Sequence, residues 1–186
     1  MNNEEEKESK SKFIPPQIDN SNSIVERVES FLSKISFKRT FPLNLIELAK
    51  AMNYSIFYLV DTDEYKYIEA AIDSKRKFIA LNTRFKKSYL CGRYIICKMI
   101  AHIALDHIPE GAIWTESVET KRDAEDNKLN PDTASFAYEL LMPEKDFKEQ
   151  WEKLGHNIGI MSSYFMASQT HIIQRKCYLF KDGNNG

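Results

Sequence analysis

The chain is poor in several things whose presence would place it at once. Its three cysteines, Cys91, Cys97 and Cys177, are odd in number and show no CxxC spacing. That argues against a disulfide framework or a cysteine zinc cluster and fits reduced thiols in a cytoplasmic protein. Charge of one sign is also missing: 26 Lys and Arg against 27 Asp and Glu leave a formal net charge of −1, so nothing drives non-specific nucleic-acid binding. There is no clean apolar run long enough to span a bilayer, because Lys98, His102 and Asp106 interrupt the best candidate. The opening stretch MNNEEEKESKSK mixes acids with bases and has no apolar core, unlike a secretory signal.

What remains is ordinary for a globular protein: 186 residues, 42% hydrophobic and 28% charged, enough for one good core. Residues 1–22 are polar, aperiodic and contain Pro15-Pro16, which predicts a disordered arm. Helical spacing follows in SIVERVESFLSKI, then in FPLNLIELAKAMNY with Pro42 near its start. SIFYLV, YIEAAID and KFIALN read as strands. Residues 109 to about 130, with the charge run 116–128, read as an exposed loop. Helical patterns return in PDTASFAYELLM, led by Pro131 and Asp132, and in 144–154, 158–166 and 168–180. These elements predict a single α+β domain over 23–181, a small mixed or antiparallel sheet packed on helices, with a C-terminal helix pair and a frayed tail at 182–186.

The most informative segment is 93–107, an almost wholly apolar helix crossed by Lys98, His102 and Asp106 at four-residue spacing. A buried helix must satisfy such groups internally, so the strip marks a site or the remains of one. His107 lies five residues beyond His102, well off that face of a regular helix; it, His156 and His171 read as surface or helix-end histidines. Cys97 reads as a small buried hydrophobe, and Trp114 and Trp151 as packing or cleft-lining residues.

RYIICKMIAHIALDH, followed later by DTASFAYELLMPEKDF, resembles the paired motifs of the ImmA/IrrE family of zinc metallopeptidases. FPLNLIELAKAMNYSIFYL, AAIDSKRKFIALN and MSSYFMASQTHIIQRKCYL are similar to the family's opening helix and strand, its sheet and its closing helix pair. The resemblance implies a zincin-like active-site helix. In the family's H-E-x-x-H, two histidines aim at one zinc and the glutamate is general base toward the bound water. Here KMIAH stands in that place: Lys98 at the first histidine, Met99 at the general base, His102 at the second histidine, and Asp132 where the third ligand is usually glutamate. An ammonium repels zinc and a thioether accepts no proton, so neither catalytic nor metal-binding residues are expected.

The leading expectation is therefore a pseudoenzyme without cofactor. Its vestigial site is Lys98, Met99, His102 and Asp132, with Lys98 paired to Asp132, and Asp106, Phe136 and Glu139 stand around the cleft. Its partner is expected to be a helix-turn-helix transcription regulator or an antitoxin, in the setting of a prophage or mobile element. A second reading is an active zinc endopeptidase with rearranged ligands His102, Asp106 and Asp132 and Glu139 as base. A third is DNA binding through the C-terminal helix pair, for which Arg175, Lys176 and Lys181 offer little positive charge.

Overall fold

A computed structural model describes residues 23–60, 62–117 and 131–180. The expected arm, the tail and most of the charged run fall outside the described residues. The fold is a single α+β domain. Its helices are α1 (Ile24–Lys34), α2 (Leu45–Ala51), α3 (Tyr89–Ala104), α4 (Pro131–Leu141), α5 (Glu144–Lys153), α6 (Ile158–Phe165) and α7 (Gln169–Leu179). The strands are β1 (Ser55–Leu59), β2 (Ile68–Asp73), β3 (Phe78–Asn82) and β4 (Ile113–Ser117).

Local chemistry sets the helix starts. Ser23 and Glu26 form a reciprocal capping box at α1, and Asn44, Asn157 and Ser168 cap α2, α6 and α7 through their side chains. Pro42 lies outside α2, two residues before its Asn44 cap, and not in its first turn as the sequence suggested. Amphipathic spacing does the rest. Val28, Phe31 and Leu32 of α1, with Leu48 and Ala49 of α2, enter the core beside Phe136, Ala137 and Leu140 of α4. Phe31 meets Phe136 edge to face at 5.7 Å, so Phe136 is a core residue and lines no cleft.

The sheet is mixed, in the order β1-β3-β2-β4, with β1 parallel to β3 and β2 antiparallel to both its neighbours. β4 was not foreseen; it arises inside the stretch read as a loop. Buried Asn82 pins the connection that crosses from β1 to β2, its Nδ2 donating to the carbonyls of Tyr65 (3.2 Å) and Ile68 (3.0 Å). α3 lies between the sheet and α4, apolar on nearly every side as its sequence demands. Met99 is fully buried, so its thioether serves packing. Cys97 is also fully buried, and burial pushes its thiol up to about 12.

Candidate functional site

The polar strip of α3 faces β4. Ala70 and Ile72 point from β2 toward the core, and their register partners Glu116 and Trp114 on β4 share that face. An extra residue on β2 between Ile68 and Ala70 sets this register. Lys98 Nζ donates to Glu116 Oε1, and the two side chains are only 24% and 17% exposed. His102 Nε2 stands 3.7 Å from Glu116 Oε2, and its ring lies 5.0 Å from that of Trp114. Burial alone would raise the Glu116 carboxyl, but hydrogen bonds from His102 and Lys98 outweigh it and hold the group below the usual carboxylate range. The indole Nε1 of Trp114 is buried without an acceptor among the described residues.

Two expectations are corrected here, one contact and one position. Lys98 pairs with Glu116 instead of Asp132. Asp132 is engaged by Arg27, a buried cation on α1, through Nη1 at 2.8 Å. The reason is position: Asp132 lies in the first turn of α4, which packs on α1, while β4 runs beside the middle of α3.

His107 is the second correction. α3 ends in a Schellman turn, with Asp106 N–H donating to Ile103 O (3.2 Å) and His107 N–H to His102 O (3.0 Å). Asp106 takes the left-handed conformation, φ 58°, one that aspartate tolerates better than most residues. The reversal returns His107 to His102, their Nδ1 atoms 3.3 Å apart. Burial and the neighbouring His102 lower the His107 pKa. Asp106 itself is exposed beyond the helix end.

Glu139, the base of the second reading, lies in the core and away from the Lys98 cluster. It is buried with Arg175, whose Nη2 donates to Glu139 Oε2 and whose Nε donates to Met142 O at 3.0 Å. Glu139 Oε2 also accepts from the Glu144 N–H at 3.1 Å, and Arg39 Nη1 donates to its main-chain carbonyl at 2.9 Å. The group ties α4, α5 and α7 together. Burying Arg175 this way removes it from any phosphate-binding face of α7, and Lys181 lies outside the described residues.

One turn before Lys98, Tyr94 packs at a tilt against Tyr138 (4.8 Å) and His171 (4.2 Å). Burial pushes the Tyr94 and Tyr138 hydroxyls up, and it lowers His171 to about 4. His171 thus sits at the start of α7, as expected of a helix-end histidine, but packed and neutral. His156 is exposed beside Glu152, as expected.

The donor set does not fit a zinc ion. Lys98 brings a positive charge against His102, and its ammonium and Glu116 neutralise each other. Among the described residues no group of three or more His, Cys, Asp or Glu is placed to hold a metal, so His102, Asp106 and Asp132 do not gather as a ligand set. No helix among the described residues is long and apolar enough to cross a membrane.

No protein-family model and no curated protein matches the chain. Among solved structures, a Mycobacterium tuberculosis transcriptional regulator is similar in fold at 15% identity, with a TM-score of 0.55. The match covers 88% of this chain and 58% of that one, so the chain spans little more than half of its structural neighbour.

Proposed function

We propose that this protein is an inactive relative of the ImmA/IrrE zinc peptidases that acts in the cytoplasm as a regulator. It would use the former catalytic cleft to hold a partner protein, such as a helix-turn-helix repressor or an antitoxin. The observation that carries this reading is the Lys98–Glu116 ion pair with His102 beside it. A side-chain cation takes the electrostatic place of a metal, and its counter-charge comes from the neighbouring strand. Beside the pair, the buried indole Nε1 of Trp114 has no acceptor among the described residues, so the polar groups of the cluster are not all satisfied from within it. That the structural neighbour is a transcriptional regulator is compatible with such a role.

Zinc binding tests the site. Wild type is expected to hold far less than one equivalent after dialysis against zinc. Lys98→His places a second imidazole one turn before His102 and releases Glu116, and it should bring zinc affinity with it. Stoichiometric zinc in wild type, lost in His102→Ala, would overturn the reading. Pull-down with the full chain should recover a DNA-binding regulator, and Glu116→Arg should lose it; recovery of none in wild type counts against the partner.

A further inference from the structure

We propose that the free edge of β1 is a docking site for an extended acidic segment of a partner protein, which would add to the sheet as a fifth strand. β1 is the strand farthest from β4, so this surface is separate from the Lys98 cluster and does not rest on the function proposed above. β1 pairs only with β3 among the described strands, which leaves a row of main-chain donors and acceptors along its outer side. The strand is also unusually apolar for an edge. Phe57 is 55% exposed, Tyr58 46% and the following Val60 68%.

Charge selects the occupant. No Asp, Glu, Lys, Arg or His lies within β1, but lysines bracket it. Lys77 Nζ sits 5.2 Å from the ring centre of Tyr54 at the strand's entry, where the Lys77 carbonyl accepts from Ser55 N–H. Lys86 Nζ sits 4.9 Å from the ring of Tyr58 toward its exit. Lys75, Arg76 and Lys87 are exposed in the same two turns. Of the nearby acids, Asp61, Asp63 and Glu64 follow in the connection to β2, and Asp73 stands 3.7 Å from Arg76, which leaves the lysines as the uncompensated charges of the two turns. Lysines beside an edge discourage pairing with neutral or basic strands; an acidic strand turns the same charges into attraction.

A second copy of the chain fits worse. Two-fold antiparallel pairing of β1 with itself would set the Lys77 end of one copy against the Lys86 end of the other. A single-stranded nucleic acid also fits worse, because Phe57 and Tyr58 are successive strand residues on opposite faces and build no common stacking platform.

The test uses the full chain and a fluorescein-labelled decapeptide of alternating valine and glutamate. Anisotropy should show saturable binding, and hydrogen exchange at the amides of 55–59 should slow when the peptide is present. A valine-lysine decapeptide should bind at least tenfold more weakly. Lys77→Glu with Lys86→Glu should cost the acidic peptide at least tenfold. Tyr58→Thr, which keeps the strand but removes the aromatic contact, should cost several-fold. Lys98→Ala should leave binding unchanged. Equal binding of both peptides, or no slowing at 55–59, would overturn the proposal. So would competition by oligo-dT, or a β1-dependent dimer in sedimentation. Tighter peptide binding when Glu4, Glu5, Glu6 and Glu8 are changed to Ser would overturn it too, since the chain's own arm would then be the occupant.

Discussion

Two charged clusters flank the α3–α4 layer, and they differ in how completely they are enclosed. Glu139 and Arg175 are 2% and 1% exposed, and nearly every polar atom they carry is used in joining three helices. Lys98 and Glu116 are 24% and 17% exposed, and they hold together one helix and one edge strand. A fully enclosed pair cannot lose a partner without leaving a bare charge in low dielectric. A half-enclosed pair can borrow water. The first cluster is therefore a structural joint, and the second is a site whose contents can change while the fold survives.

Breaking the enclosed pair gives the largest expected effect. Glu139→Ala should destabilise by about 3–5 kcal/mol, the range for an uncompensated buried charge, as read by urea unfolding. If it costs under about 1 kcal/mol, water reaches Arg175 and the contrast between the clusters fails.

His171 gives the next effect, as a pH dependence. Its pKa falls from 6.5 in the unfolded chain to about 4 in the fold. The unfolded state binds the extra proton between those values, so stability is complete above pH 6.5 and declines as pH falls toward 4. The loss should reach roughly 2–3 kcal/mol, and His171→Phe should flatten that part of the curve.

Breaking the half-enclosed pair comes third. Glu116→Gln should cost about 1–2 kcal/mol and leave circular dichroism unchanged. Lys98→Met with Glu116→Leu should cost less than the sum of the singles, because neither charge is stranded. A double mutant as damaged as the sum would show that the two residues act independently. The exposed His156–Glu152 pair is the control, with Glu152→Gln expected to change stability by less than about 0.5 kcal/mol.

The helices and three of the strands were legible because their periodicity depends on a core that each segment meets locally. Leu45, Leu48, Ala49 and Met52 are all buried, as their spacing requires. The site was legible only in part. Lys98 and His102 were found because polar groups on an apolar helix are conspicuous. Glu116 was missed because it stood at the head of a charged run, which hid the strand pattern of IWTES, an aromatic between β-branched residues. Arg27 was missed for the opposite reason: a cation on an otherwise regular amphipathic helix looks like surface. Both were partners for charges already noticed, and partners distant in sequence follow from packing, which local pattern does not encode.

The left-handed turn at Asp106 has a wider consequence. Helical geometry makes residues five apart strangers, yet one backward twist after the last turn brings them together, edge to face. Two imidazoles at that interval can bring their ring nitrogens within contact without any longer helix to carry them. A search for paired histidines that counts only regular spacings will pass over every such hairpin of side chains, and a small polar residue between the two is the mark to look for.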